Sequence, residues 1–289
     1  MPELPEVETV RIGLSALLPK RQIAQVVHDW PKGFPNAPAD VQAFVVGARV
    51  VAVRRRAKVL IIDLSTNYSL VIHLKMTGQL VFRSKDARFG AGHPNHSLVG
   101  ELPDKSTRVT VTFKDGSTLF FNDQRKFGWM RLLPTVEVEQ LDFFQKVGPE
   151  PLADDFTAPD FAARLLRRKN SGIKAVLLDQ AVVAGIGNIY ADESLWAAKI
   201  HPETKVAAIS KPNVKSLYAE LRRILQLSIE KGGSTDRNYV NHEGKRGSYL
   251  SFASVFRRQG QPCPRCGSAI IKTRVAGRGT YTCPTCQRV

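Results

Sequence analysis

Two residues at the amino terminus, Pro2 and Glu3, have the side chains and spacing for covalent chemistry. If Met1 is removed, Pro2 carries a free secondary amine, and an α-amine titrates near ~8, against ~10.4 for a lysine, so part of it is neutral at physiological pH. A neutral amine attacks an electrophilic carbon, and a secondary amine then gives an iminium, which is a strong electron sink. The Glu3 carboxyl can act as the general acid. The sequence therefore places a nucleophile beside an acid.

The same stretch also fits the start of an ordinary helix. Pro5 suits the first turn of a helix that continues to about Leu18. The apolar residues that recur at helical spacing are Val7, Val10, Leu14, Leu17 and Leu18. Glu6 and Glu8 would then be first-turn acids favoured by the helix dipole. This interpretation requires neither the amine nor its neighbouring carboxyl, so both interpretations stay open for the first nine residues.

All the cysteines of the chain lie in its last 27 residues, as two C-x2-C pairs separated by sixteen residues. They are Cys263, Cys266, Cys283 and Cys286. This spacing predicts a zinc site, because zinc prefers a tetrahedron of soft ligands and two C-x2-C turns of a hairpin supply it. Two disulfides are the alternative, which a cluster at one end of a cytosolic chain disfavours. We therefore expect one structural Zn²⁺.

The chain is strongly basic. Its 42 Lys and Arg against 26 Asp and Glu give a net charge of +16 and a pI near 9.9. This charge indicates a polyanionic partner, first of all nucleic acid, with a membrane surface as the weaker alternative. We find no apolar run of ~18 residues and no signal-peptide h-region, and so expect a soluble cytoplasmic protein without a membrane partner. A length of 289 residues predicts two or three domains.

The elements that must position these residues differ between the two halves of the chain. From about residue 22 to 133 the pattern predicts strands, so the first half reads as a β-sandwich preceded by one helix. Arg108–Phe113 alternates, Asp115-Gly116 marks a turn, and Leu119–Phe121 resumes, which is typical of a hairpin. Further strand candidates are Val50–Leu64 and Leu70–Phe82. The polar segment Ser84–Lys105 is expected to be a loop.

Beyond a linker at Gly148–Pro151 the apolar spacing becomes helical. The helix candidates are centred on Phe161, Leu165 and Leu166, on Ile173–Leu178, and on Leu217, Leu221, Ile224 and Leu225. Between them, Gly185-Ile186-Gly187-Asn188 forms a turn that opens a helix and can present N–H groups to a phosphate. Alone this signal is weak, since two glycines also serve ordinary turns. Gly232–Gln261 is expected to be a long loop.

Four segments in one order resemble those of a single family: Pro2–Glu8, Asp123–Gly128, Gly185–Glu193 and the four-cysteine finger. They resemble the bacterial formamidopyrimidine-DNA glycosylases, and the resemblance spans nearly the whole chain. It implies an α+β multidomain fold with an N-terminal helix and β-sandwich, a helix-two-turns-helix domain and a C-terminal four-cysteine zinc-finger β-hairpin. The implied domains are residues 1–140 (catalytic helix and sandwich), 141–238 (helical DNA-binding domain), 239–262 (lesion-capping loop and linker) and 263–289 (zinc finger).

The resemblance further implies a bifunctional DNA glycosylase and AP lyase of base-excision repair, which acts on damaged double-stranded DNA. The Pro2 amine would attack C1′, the oxidised purine would leave, and β,δ-elimination from the iminium would cut the strand. Glu3 would protonate the sugar or leaving group, Glu6 would help organise the site, and Lys58 would contact a phosphate near the lesion. A monomer is expected, in the cytoplasm and associated with the nucleoid when it acts on DNA.

The resemblance also assigns DNA contacts. Met76, Arg125 and Phe127 match side chains that fill the void left by a flipped base, and Arg125 would also hydrogen-bond the orphaned cytosine. The matching backbone contacts are His73, Lys174, Asn188 and Arg278. From the residues alone, Met76 and Phe127 fit an ordinary core better. His73 fits the polar face of a strand, and Lys58 fits a solvated charge.

Two departures from the family pattern bear on specificity. Gln124 stands where the family segment usually has proline, and residues 241–261 differ from the family loop that caps the flipped purine. The resemblance therefore implies cleavage of the DNA strand more directly than it implies an order of preference among lesions. Two other functions stay open: a non-catalytic zinc-finger binder of nucleic acid, which leaves the amine idle, and a glycosylase for oxidised pyrimidines, which the start motif disfavours.

Overall fold

The computed structural model describes residues 1–93, 95–233 and 249–288. These residues divide into two compact units. The described part of the first unit is 1–93, 95–145 and 231–233, and that of the second is 146–230 and 249–288. Within the described ranges, no helix is both long and apolar enough to cross a membrane.

The first unit is a helix followed by a β-sandwich, as predicted. Its helices are α1 (Leu4–Leu17), α2 (Pro38–Phe44) and α3 (Asp142–Lys146), the last of which ends at the first residue of the second unit. Its strands are β1 (Ile23–His28), β2 (Val50–Arg56), β3 (Val59–Leu64), β4 (Tyr68–His73), β5 (Gly78–Arg83), β6 (Arg88–Gly92), β7 (Thr107–Phe113), β8 (Thr118–Asp123) and β9 (Trp129–Pro134). One sheet has the order β1-β7-β8-β5-β6 and the other β2-β3-β4-β9. Each pairing of neighbouring strands is antiparallel.

Helix α1 packs on the sandwich through the apolar face that the sequence predicted. Val10 and Leu14 are fully buried in a core shared with both sheets. A Cβ at Gly13 would lie 2.1 Å from the Phe89 ring, so only glycine lets α1 approach β6 this closely. On the other side Glu8 pairs with Arg55 of β2 at 2.7 Å. These contacts fix the direction in which the amino terminus enters the unit.

The sequence did not predict β6, the short 3₁₀ helix after it, or α2. Ser84–Lys105 is not only a loop, because it contains β6 and a short 3₁₀ helix at His96–Leu98. Strand β6 is a short edge strand with two glycines, so its composition hides the buried Phe89 and Ala91. Helix α2 has no buried residue and therefore shows no apolar periodicity.

The second unit contains the predicted helices and the terminal hairpin. They are α4 (Ala158–Leu166), α5 (Ile173–Leu178), α6 (Asn188–Ala197), α7 (Lys211–Glu230), β10 (Ile271–Val275) and β11 (Arg278–Thr282). A 3₁₀ helix at Tyr249–Phe252 precedes the hairpin. The core includes Phe161 and Leu165 of α4 and Leu221 of α7, whereas Leu166 is exposed. The predicted helices are therefore confirmed, and Leu166 is the last residue of α4.

Candidate functional site

The predicted nucleophile and acid lie at the start of α1, where a buried carboxylate holds the backbone. Pro2 is buried, and Glu3 and Glu6 are each 4 % exposed. Glu3 is the N-cap of the helix, and its backbone N–H donates to Glu6 Oε2 at 2.8 Å. Gly233, with φ of +82°, lies so close that a Cβ there would come 3.2 Å from Glu6 Oε1. Glu6 is therefore both the first-turn acid of the helix and the group that fixes the peptide beside Pro2.

Lys58 directly precedes the strand residue that pairs with His73. It lies in the tight turn between β2 and β3, and the next residue, Val59, pairs with His73 of β4. Both side chains are buried. The interpretation of Lys58 as a solvated charge and that of His73 as a residue on the polar face of a strand are therefore wrong. Burial lowers the pKa of His73 to about 3, and the charges of Lys75 and Lys58 act in the same direction.

The His73 ring is therefore neutral at pH 7, and its tautomer follows from one hydrogen bond. The backbone N–H of Lys75 donates to His73 Nδ1 at 3.0 Å. A neutral imidazole that accepts at Nδ1 carries its proton on Nε2. An Nε2–H donor near the Lys58 ammonium suits a phosphate oxygen.

The three predicted void-filling residues lie on two neighbouring loops of the first unit. Met76 is half-buried in the turn between β4 and β5, whereas Arg125 and Phe127 lie in the loop between β8 and β9. Gly78 pairs with Asp123, so both loops leave the same end of the sheet. Phe127 is 52 % exposed, which excludes the core interpretation for it. The Arg125 guanidinium lies 4.7 Å from the centre of the Phe127 ring.

Asp123 organises the loop that carries Arg125 and Phe127. Its carboxylate is 1 % exposed. Oδ2 accepts the backbone N–H groups of Phe127 at 2.7 Å and Gly128 at 2.6 Å. Oδ1 accepts the Thr77 hydroxyl and, at 3.2 Å, the Arg125 N–H. The exposed Gln124 side chain is not among these groups, so the departure at this position leaves the carboxylate's hydrogen bonds in place.

In the second unit, Asn188 and Arg278 lie beside each other. Asn188 is the first residue of α6, and its Nδ2 donates to the Gly279 carbonyl at 2.8 Å. Ala276 and Gly277 both have positive φ, of 51° and 73°, so the β10–β11 hairpin closes in a two-residue turn. Arg278 follows that turn and is exposed. The helix start and the hairpin tip thus present an amide and a guanidinium side by side.

Lys174 requires a correction, because its ammonium is not available to a phosphate. The residue is 0 % exposed, and Nζ lies 2.7 Å from Asp192 Oδ1 and donates to Thr280 Oγ1 at 2.6 Å. Asp192 Oδ2 also accepts the Tyr281 N–H at 3.0 Å. Burial raises the pKa of Asp192 to about 6, although the Lys174 charge acts in the opposite direction. The pair attaches the hairpin to α5 and α6.

Two more residues of α6 hold the segment that leads into the hairpin. The Glu193 carboxylate accepts the backbone N–H groups of Ser254, Val255 and Phe256 at 2.8, 2.9 and 2.8 Å. Burial raises the pKa of Glu193, and these three donors oppose the shift. The Arg265 guanidinium lies 4.2 Å from the centre of the Trp196 ring. Helix α6 is therefore a platform on which the cysteine-bearing segment is fixed.

The four cysteines form a site that fits zinc. Their Sγ atoms all lie within 4.8 Å of one another, with Cys263–Cys286 at 4.0 Å and Cys266–Cys283 at 3.4 Å. A tetrahedral ion with Zn–S bonds of about 2.3 Å requires sulfurs about 3.8 Å apart. All four thiols are free, so the disulfide alternative is wrong. The same residues hold one structural zinc.

Three family models match successive parts of the chain. "Formamidopyrimidine-DNA glycosylase N-terminal domain" matches residues 1–130, "Formamidopyrimidine-DNA glycosylase H2TH domain" 147–239, and "Zinc finger found in FPG and IleRS" 260–289. The chain belongs to the formamidopyrimidine-DNA glycosylase family. It is 44% identical over 292 residues to the formamidopyrimidine-DNA glycosylase of Streptococcus pyogenes serotype M6, with 100% of this chain and 99% of the relative covered. The enzyme of Chloroflexus aurantiacus is also 44% identical, with 99% and 98% covered.

Solved structures of the family have the same fold. A Lactococcus lactis FPG point mutant in complex with Fapy-dG-containing DNA matches with a TM-score of 0.87 at 33% identity and covers 100% of both chains. The Lactococcus lactis Fpg complex with abasic-site DNA gives 0.87 at 33% identity, with 99% and 100% covered. MutM (FPG) from Thermus thermophilus gives 0.83 at 36% identity, with 99% and 98% covered.

Sequence reasoning missed the acids that position candidate site residues within each unit. Asp123 was noted only as part of a motif, and Asp192 and Glu193 only as the end of another. One signal was available for Asp123, since an Asp before a glycine-containing turn often accepts backbone N–H groups. For Asp192 and Glu193 no such signal exists, because their partners are up to 89 residues away.

Proposed function

We propose that this chain is a bifunctional DNA glycosylase and AP lyase that removes oxidised purines, 8-oxoguanine and formamidopyrimidines, from duplex DNA. The observation that carries the proposal is the amino terminus: Pro2 and Glu3 are buried at the start of α1, and the Glu6 carboxylate holds their backbone. The similarity of the whole chain to the family supports the substrate class.

The reaction begins with the Pro2 nitrogen, which is an amine only after Met1 has been removed. The amine attacks C1′ of the damaged nucleotide, the bond from C1′ to the base breaks, and the purine leaves with the proton that the amine nitrogen loses. Glu3 donates a proton to the sugar ring oxygen, the ring opens, and an iminium joins the proline nitrogen to C1′.

The iminium then drives two eliminations. It withdraws electrons from C1′, so a proton is lost from C2′ and the 3′ phosphate leaves. A second elimination releases the 5′ phosphate, and the strand is cut on both sides of the lesion. Each step converts a difficult bond cleavage into an easier one through the covalent intermediate.

The remaining site residues bind DNA in this proposal. Lys58 and His73 contact a phosphate near the lesion, and Met76, Arg125 and Phe127 occupy the space left by the flipped nucleotide. Arg125 hydrogen-bonds the orphaned cytosine. In the second unit Asn188 and Arg278 contact the backbone. Zinc supplies a structural cross-link among its four cysteines, which keeps the Arg278 hairpin folded.

The organisation we propose keeps the boundaries 1–140, 141–238, 239–262 and 263–289. The first part of the lesion-capping segment 239–262, from residue 239 to 248, lies outside the described residues. We propose that the protein works as a monomer in the cytoplasm and associates with the nucleoid when it acts on DNA.

A cleavage assay tests the proposal. Protein shown by mass spectrometry to lack Met1 is incubated with a duplex that carries one 8-oxoguanine opposite cytosine, and with the same duplex carrying thymine glycol. The expected result is free 8-oxoguanine and a strand cut on both sides of the lesion. Faster cutting at thymine glycol would contradict the assignment of oxidised purines as substrates. DNA that is bound but not cut would contradict the proposal that the protein is an enzyme.

A further inference from the structure

We infer that Asp123 and Thr77 form a clamp that fixes Arg125 and Phe127 beside Met76, and that this clamp sets how strongly the enzyme distinguishes the base opposite the lesion. The inference rests on the proposed function. It makes Asp123 and Thr77 positioning residues, since they act through side chains that face DNA.

Asp123 is a carboxylate used at both oxygens. Two backbone N–H groups, from Phe127 and Gly128, donate to Oδ2, while Oδ1 takes the Thr77 hydroxyl and the Arg125 N–H. At 1 % exposure, water cannot replace these donors. An asparagine at this position would keep one acceptor oxygen and turn its amide hydrogens toward N–H donors. The site therefore requires an acid.

Thr77 joins the two loops. Its Oγ1 accepts the Arg125 N–H at 3.0 Å while its own hydrogen points to Asp123. Thr77 directly follows Met76 in the chain. The Thr77 side chain thus links the backbone of Arg125 to the loop that carries Met76.

The loop between β8 and β9 has a conformation that needs this support. Lys126 has φ of 58°, in the left-handed region that a lysine rarely adopts. A Cβ at Gly128 would lie 2.7 Å from Phe121 Cζ and 3.1 Å from the His73 carbonyl oxygen. The carboxylate holds this strained, close-fitting path, and Arg125 and Phe127 project from it into solvent.

A second brace acts on the backbone of Asp123 itself. Arg108 is 5 % exposed, and its Nε donates to the Asp123 carbonyl at 3.0 Å while its Nη1 pairs with Asp29. The Asp123 N–H donates to the Ser106 carbonyl at 2.7 Å. Asp123 is therefore fixed by its backbone and, in turn, fixes the loop by its side chain.

The consequence for the reaction is selectivity. A guanidinium discriminates between an orphaned cytosine and an adenine only if its position is set before the base is tested. A loose loop would let Arg125 adapt to either base, so discrimination would fall more than general DNA affinity, which phosphate contacts supply.

The test compares single-turnover base removal from 8-oxoguanine opposite cytosine and opposite adenine. For Asp123→Asn and for Thr77→Val we expect the cytosine-to-adenine rate ratio to fall about tenfold, the loss typical of one buried hydrogen bond. Thr77→Ser keeps the hydroxyl and should restore the wild-type ratio. The matched control is Asp115→Asn, because Asp115 accepts the Ser117 N–H at 2.9 Å in the turn at the other end of β8. Its ratio should equal that of the wild type.

A second readout reports the loop directly. 2-Aminopurine placed opposite an abasic-site analogue becomes brighter when it is unstacked, and we expect a smaller signal with Thr77→Val than with Thr77→Ser. If Asp123→Asn does not fold, the comparison of Thr77→Val with Thr77→Ser tests the inference instead. A wild-type ratio in both Asp123→Asn and Thr77→Val, or in Thr77→Val alone when Asp123→Asn is unfolded, would overturn the inference. Failure of the proposed function looks different, because the wild-type protein itself would then release no base.

Discussion

The two units position the side chains that we propose contact DNA by different means. In the first unit, Asp123 and Glu6 are buried carboxylates that accept backbone N–H groups from residues close in sequence, and they shape a loop and a helix start. In the second unit, Asp192 and Glu193 project from one helix and hold segments 61 to 89 residues away. In the first unit these carboxylates accept backbone N–H groups from at most five residues away, and Asp123 also accepts the Thr77 hydroxyl from 46 residues away, whereas the second site is assembled from distant segments and a metal. We therefore expect substitutions in the two units to have different effects.

The largest expected effect is in the first unit. Pro2→Gly should lower the rate of base removal by roughly a thousandfold, because the rigid secondary amine that forms the iminium is lost. Lesion binding should remain, since the phosphate contacts are intact. Rates and affinities on the 8-oxoguanine duplex measure both. Wild-type activity in Pro2→Gly would remove Pro2 from the mechanism.

Loss of the metal should instead affect the second unit. Cys283→Ser removes one of four zinc ligands, so the hairpin should unfold and DNA affinity should fall at least about tenfold as Arg278 is lost. Zinc content by mass spectrometry and affinity by anisotropy measure this. Unchanged affinity in zinc-free protein would show that the finger is dispensable.

The buried ion pair offers a sharper test of assembly in the second unit. Lys174→Met leaves Asp192 buried without its partner, which should lower the free energy of unfolding by about 3 kcal/mol. Lys199→Met, at an exposed lysine of the same unit, is the control and should change it by less than about 0.5 kcal/mol. Urea denaturation measures both. Equal stabilities would mean that the pair does not hold the hairpin.

His73 makes the first unit sensitive to acid. Its pKa is lowered to about 3 in the folded protein, so only the unfolded chain takes up the proton as pH falls below about 6.5. The stability from this group is present above pH 6.5 and is lost as pH falls toward about 3. Between pH 6.5 and pH 5 the loss should approach about 2 kcal/mol. His73→Gln should remove this pH-dependent loss of stability. If the pH dependence of the free energy of unfolding, measured by urea denaturation, is the same in His73→Gln as in the wild type, a buried neutral ring is contradicted.

The smallest expected effect concerns one phosphate contact. Arg278→Ala should reduce the slope of log K against log[salt] by about one, because one fewer counterion is released. Arg223→Ala, an exposed arginine of α7 paired with Glu220, should leave the slope unchanged. Equal slopes for both variants would remove Arg278 from the interface.

The sequence predicted what local pattern controls. The cysteine spacing predicted the zinc site, the Asp115-Gly116 turn predicted a hairpin, and apolar periodicity predicted α1 and α7. It did not predict β6 or α2. Helix α2 has no buried residue, and two of the buried residues of β6 are glycines, so neither element shows an apolar pattern in the sequence. The sequence also did not predict which charged side chains are buried. Lys174 was expected to be available to a phosphate, but in the folded chain its ammonium contacts Asp192 and Thr280. The same holds for the acids of α6, whose partners only the fold brings near.

The most direct test of the central claim is borohydride trapping. Protein lacking Met1 is mixed with a duplex carrying 8-oxoguanine opposite cytosine, and separately with an abasic duplex, and is then reduced and analysed by mass spectrometry. An adduct at Pro2 on both duplexes is the predicted result, since reduction converts the iminium into a stable bond. An adduct on the abasic duplex alone would leave a lyase without the purine specificity. No adduct on either duplex would contradict the account and favour a non-catalytic DNA binder.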